Sequence, residues 1–218
     1  MKHINVDGIT FITPLSGSKG EWYYGTDYEH GDLYEAEDQY KAGKPVRGRK
    51  LYLVHYPDGT VYCPTPKAAG KYTETPTYYE GAIYIVEVDF QADSIRIIRF
   101  DCASHETSIY AEIPLSSVDN CYNMRLESAP LMLTRQSYNH KDFEIVWPER
   151  VKFEQNERDS FFLRDGDKLY FSRWHEEGED IDYKYWTEIV VRNMQGEVID
   201  IFPGDIQIMP NGELWHLN

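Results

Sequence analysis

Five carboxylates crowd the nine residues Trp174-His-Glu-Glu-Gly-Glu-Asp-Ile-Asp182 of this 218-residue chain, supplying the oxygen ligands that calcium prefers. The run lacks the Asp-x-Asp/Asn-x-Asp/Asn-Gly order with a distal Glu that builds a calcium loop, so it reads as a solvated hairpin loop. Cys102-Ala-Ser-His105-Glu106 brings a thiol, an imidazole and a carboxylate together, the ingredients of metal ligation or of a Cys-His nucleophile. It offers too few ligands for a metal and falls where a hairpin turn is expected. Asp165-Gly-Asp167 is likewise explained by a turn. The seven histidines form no His-x-His or His-Glu-x-x-His spacing, and His55 and His216 fall in predicted strands as packing residues. Neither a Gly-x-Ser-x-Gly elbow, a phosphate-binding loop nor a dinucleotide fingerprint occurs. No catalytic residue, metal or cofactor is therefore assigned from sequence.

Aromatic residues supply the better lead. Trp22, Tyr23, Tyr24 and Tyr28 interleave with Glu21, Asp27 and Glu29, while Trp174 and Trp186 bracket the acidic loop. Flat apolar faces beside hydrogen-bond acceptors suit a saccharide or a basic protein partner. The candidate ligand-binding residues are Trp22, Tyr23, Asp27, Tyr28, Trp174, Glu176 and Trp186. Aromatic residues are also favoured in strands, so the 18 tyrosines equally serve to pack sheets. A non-enzymatic binding module is the preferred reading. The alternative is a carbohydrate-active enzyme, which needs two carboxylates roughly 5–10 Å apart in one pocket.

Charge narrows the partners. With 37 acidic against 22 basic side chains the net charge is -15, which repels a phosphate backbone and argues against nucleic acid. The short basic run Lys44-Pro-Val-Arg-Gly-Arg-Lys50 follows an acidic segment and offsets it. No apolar run approaches the ~18 residues of a membrane span, and the N-terminal residues hold no signal-like apolar core. No membrane partner is expected, and the location implied is cytoplasmic. Cys63, Cys102 and Cys121 cannot all pair with one another, which fits free thiols in a reducing compartment.

The elements that must position these residues are strands. From Gly81 to Leu115 three apolar-alternating runs are separated by polar breaks, which predicts three antiparallel strands, the third with Ile109, Ala111, Ile113 and Leu115 on one side. Asp7-Gly8 predicts a hairpin between Ile4–Val6 and Ile9–Ile12. Asp32-Leu-Tyr-Glu35 is a capping-box pattern that starts a helix ending at Gly43, with Leu33, Ala36 and Tyr40 inward and Glu37 and Asp38 outward. Similar strand starts at Leu51, Ile83, Leu131, Leu169 and Leu214 are spaced by a mean of about 41 residues, near the roughly 40–50 of propeller blades. The fold predicted for 1–218 is a single all-β domain of antiparallel meanders with one short helix near 33–42. A β-propeller-like arrangement is preferred to a β-sandwich or barrel. Strand-like sequence at both ends further predicts that the termini meet in one sheet.

Overall fold

The computed structural model describes residues 1–27, 31–209 and 213–218. The chain divides into two compact units, Met1–Leu131 and Met132–Asn218. Among the described residues it is all-β with one short α-helix, and its sheets are antiparallel, built from strands close in sequence and not closed into a barrel.

In the first unit β1 (Thr13–Pro14), β2 (Trp22–Thr26), β3 (Leu51–His55) and β4 (Val61–Tyr62) form a sheet in sequential order, with α1 (Leu33–Lys41) between β2 and β3. A second sheet contains β5 (Lys71–Thr73), β6 (Thr77–Tyr79), β7 (Ala82–Asp89), β8 (Ser94–Asp101) and β9 (Thr107–Pro114), in the order β5-β7-β8-β9 with β6 also on β7. β10 (Arg125–Ser128) closes the unit, where Thr77 Oγ1 donates to the Leu126 carbonyl at 3.2 Å. The core joins Trp22, Leu51 and Leu53 of one sheet to Ile83, Ile85, Ile98 and Phe100 of the other. Each such side chain contributes about 1.5–3 kcal/mol on leaving water. Seven of the eight β7 residues are buried, so this strand is covered on both faces.

The helix obeys its cap. Asp32 Oδ1 accepts from the Glu35 amide at 2.8 Å, Glu35 Oε2 accepts from the Asp32 amide at 3.2 Å, and Gly43 takes the left-handed φ of +70°. Leu33 and Ala36 are both buried, whereas Tyr40, expected inward, is exposed and stacks its ring on Phe90 with centroids 5.4 Å apart. Glu37, expected to point outward, is buried instead. Its Oε2 accepts from the Cys121 amide at 2.9 Å and its Oε1 meets Lys41 Nζ at 2.8 Å, which offsets the cost of burying a charge.

The second unit begins within β11 (Leu131–Gln136), which β12 (Asp142–Trp147) and β13 (Val151–Glu154) follow as an antiparallel meander. β14 (Asp159–Asp165), β15 (Lys168–Glu177), β16 (Lys184–Arg192) and β17 (Val198–Pro203) make the next sheet. β18 (Asp205–Ile208) and β19 (Leu214–Leu217) pair as a ribbon. Val190 packs with Phe143, Phe161 and Phe171, whereas its neighbours Ile189 and Val191 pack with Leu163 and Ile206. The β14–β17 sheet is therefore apolar on both sides at its centre.

Four expectations change. The Asp7-Gly8 turn forms, with Ile9 N–H on the Val6 carbonyl at 3.1 Å, but its flanks join no sheet and the first strand is Thr13–Pro14. On β9 a bulge pairs Ile98 with Ile109 but Ile97 with Ala111, breaking the alternation and leaving Ile109 exposed on an edge strand. The termini lie in different sheets, since β1 pairs with β2 and β19 with β18. The barrel alternative falls because no sheet closes on itself. The Asn211-Gly212 turn lies outside the described residues. Among the described residues no helix is long and apolar enough to cross a membrane.

Candidate functional site

The aromatic residues nearest the N-terminus serve the core. Trp22 is only 1% exposed, with its ring centroid 4.7 Å from that of His55 and 5.4 Å from that of Phe100. It offers no face to a ligand, which corrects its expected role. Tyr23 is half-buried on β2. Asp27 is committed to local structure, accepting from the Lys50 amide at 2.5 Å and from Lys67 Nζ at 3.0 Å. Tyr28 lies outside the described residues.

The β15–β16 hairpin keeps its aromatics in the open. Directly opposed residues of an antiparallel pair share a face, and the register opposes Trp174 to Thr187 and Glu176 to Tyr185. On that face Trp174 is 48% and Tyr185 70% exposed, and Tyr183 OH donates to Glu176 Oε2 at 3.1 Å. The same register opposes His175 to Trp186 and Arg173 to Glu188 on the other face. There the His175 and Trp186 rings stack 5.1 Å apart at 6°, and His175 Nε2 lies 2.6 Å from Glu188 Oε1. Trp174 and Trp186 thus lie on opposite faces rather than flanking one surface. Glu176, Glu177, Glu179, Asp180 and Asp182 enter no ion pair among the described residues. No group of three or more metal-binding side chains converges among those residues either.

The face bearing His175 leads into a cleft of about 970 Å³, walled by the turn from Ser137 to Asp142, by residues Lys152 to Arg158, and by Arg173 and His175. Its rear is a buried ion cluster. Asp159, fully buried, accepts from Arg173 Nε at 2.6 Å and Nη2 at 3.1 Å, and from Arg192 Nη2 at 2.9 Å. This two-point grip fixes the Arg173 guanidinium. Gln155, 9% exposed, donates through Nε2 to the His140 and Asp159 carbonyls, both at 2.9 Å, while its buried Oε1 has no hydrogen-bond partner among the described residues. Asp142 and Glu154 stand directly opposite across β12 and β13. Asp142 Oδ1 is 3.5 Å from Nη2 of the fully buried Arg135, and its Oδ2 is 4.0 Å from Lys152 Nζ.

Sequence reasoning missed this cleft because it draws on three strands and two turns, leaving no local spacing. One signal was available: alternation along β15 puts Arg173 and His175 on the same face as the core residues Leu169 and Phe171. A charged continuation of a core stripe marks where the interior opens to a surface.

The Cys102 segment forms a turn rather than a nucleophile. Asp101 Oδ1 accepts the Ala103 and Ser104 amides at 3.0 and 2.8 Å, and His105 Nδ1 lies 3.1 Å from Tyr62 OH. Burial first, and then the Asp101 charge, push the Cys102 thiol up to about 11, far from a neutral-pH thiolate. No disulfide joins Cys63, Cys102 or Cys121.

No protein-family model matches the chain, and no curated protein matches it. Among solved structures it is similar to a protein provisionally named 6-phosphogluconolactonase from Bacteroides uniformis, at 13% identity and a TM-score of 0.30. The match covers 92% of this chain and 75% of that one. At that score the likeness carries no argument.

Proposed function

We propose that this protein is a non-enzymatic interaction module whose β15–β16 hairpin holds a basic segment of a partner protein, and that it works in the cytoplasm, where Cys63 and Cys102 stay reduced thiols. One observation carries the reading. Glu176 shares a face with the exposed rings of Trp174 and Tyr185 and accepts from Tyr183, in a loop whose five carboxylates form no ion pair among the described residues. A lysine or arginine side chain meets acceptor oxygens and a ring face there at once. Cation–π contact contributes about 0.5–1 kcal/mol at exposed sites and each surface ion pair about 0–1 kcal/mol, so several must act together. Electrostatic attraction to a chain of net charge -15 would speed the encounter.

The enzymatic alternative draws support from the opposed Asp142 and Glu154. Asp142, however, is engaged from its own side by Arg135 at 3.5 Å and faces Lys152 at 4.0 Å, so it stands in an ion cluster rather than as one of two free carboxyl groups.

A fluorescent Lys/Arg-rich peptide, with an acidic peptide as control, tests the module by anisotropy at about 50 and 500 mM salt. Binding to the basic peptide alone, weakening about tenfold or more at the higher salt and about threefold or more in Trp174→Ala, is the expected result. No binding at low salt, or binding indifferent to both salt and the substitution, rejects the proposal.

A further inference from the structure

We infer that the cleft between the β12–β13 meander and β15 is a second, independent binding site, and that its ligand is a neutral polyhydroxyl compound of saccharide type. Mixed charge is the first argument. Lys141, Lys152, Arg158 and Arg173 line the cleft beside Asp142, Glu154 and Glu157, and behind the lining Asp159 holds Arg173 together with Arg192 while Arg135 meets Asp142. A ligand with net charge of either sign would meet like charges along this lining, whereas a neutral one does not.

Hydrogen-bonding capacity is the second. Cationic donors, carboxylate acceptors and the side chains of Ser137, Asn139 and Asn156 adjoin one another along the cleft. A hydroxyl both donates and accepts, so a compound with several of them matches such a mixed lining where a purely accepting anion does not. The third argument is the buried Gln155, whose Oε1 lacks a donor among the described residues although buried polar atoms are nearly always paired. Gln155 lines the cleft, so a ligand hydroxyl that draws its side chain outward would supply that donor. Phe153 adds an apolar wall, and a volume of about 970 Å³ lies within the range of small-molecule sites.

The test is a titration of the isotope-labelled full chain, followed by NMR, with glucose, galactose, N-acetylglucosamine, maltose, cellobiose and lactose. Glucuronate and glucosamine serve as charged counterparts. At least one neutral sugar should saturably shift the Gln155 side-chain amide and the Arg173 Nε–H resonances. Arg158→Ala and Glu154→Gln, which leave the Asp159 cluster in place, should each weaken that sugar about fivefold with an unchanged melting temperature. Trp174→Ala should leave it untouched, which separates this site from the hairpin's other face. The inference is overturned if no neutral sugar moves those resonances, if the shifts do not saturate, or if both cleft substitutions leave affinity unchanged. Tenfold tighter binding of either charged sugar overturns the neutral assignment.

Discussion

Two long hairpins of this chain start from the same alternating pattern and end in different places. β7 and β8 pair over eight residues, and nearly all of β7 is buried, because apolar side chains occupy both of its faces. β15 and β16 pair over nine, yet burial runs out along β15, from Leu169 and Phe171 at one end to exposed Glu176 and Glu177 at the other. Pairing that outruns the core contributes little to the fold. The hairpin's distal half is thereby free to be a surface, and its aromatic and acidic residues make that surface specific.

The comparison breaks most readily at Asp159. The second hairpin is anchored where Arg173 and Arg192 converge on this one buried carboxylate. Asp159→Ala strands both guanidinium groups, and should cost about 3–5 kcal/mol in denaturant unfolding. A loss below about 1 kcal/mol would show that water or rearrangement replaces the cluster, and that the cleft has no rigid rear wall.

Paired truncations sharpen the contrast at smaller scale. Ile85→Ala, in the buried hairpin, should cost about 2–5 kcal/mol, because the packed surroundings collapse only partly around the cavity. Tyr185→Ala, at the exposed end of the other, should stay within about 0.5 kcal/mol. Equal losses in the two variants would mean that the distal hairpin is structural, and would remove the reason for reading it as an interaction surface.

Much of this was legible in the sequence. The capping box at Asp32 and Glu35 placed the helix, and the five repeated strand starts fall on β3, β7, β11, β15 and β19, one in each sheet. Local chemistry fixes such features within a few residues. What sequence could not supply was parity across a turn. Trp174 and Trp186 look like two sides of one loop until the register opposes Trp174 to Thr187 and sends the tryptophans to opposite faces. Nor could it supply distance partners: Glu37 reads as outward on a helical wheel, and is drawn inward by the Cys121 amide far along the chain.

The smallest expected effect comes from comparing how the two regions use carboxylates. In the acidic loop Glu176 accepts from a tyrosine hydroxyl, whereas Asp101, at the end of β8, accepts from two backbone amides and from Arg99 Nη2 at 2.6 Å. The Ser104 amide first, then Arg99 and the Ala103 amide, lower the Asp101 carboxyl from 3.8 to about 2. A carboxylate whose pKa is depressed on folding adds stability that is fully present above its unfolded value and is lost as pH falls through its folded one. The contribution should thus persist above about pH 4 and fade towards pH 2. Melting curves of the parent and of Asp101→Asn, recorded from neutral pH downward, should differ by a small constant margin until about pH 4 and then converge. A margin that stays constant down to pH 2, or widens in acid, would mean that the turn is held by its backbone geometry alone and draws nothing from the charge on Asp101.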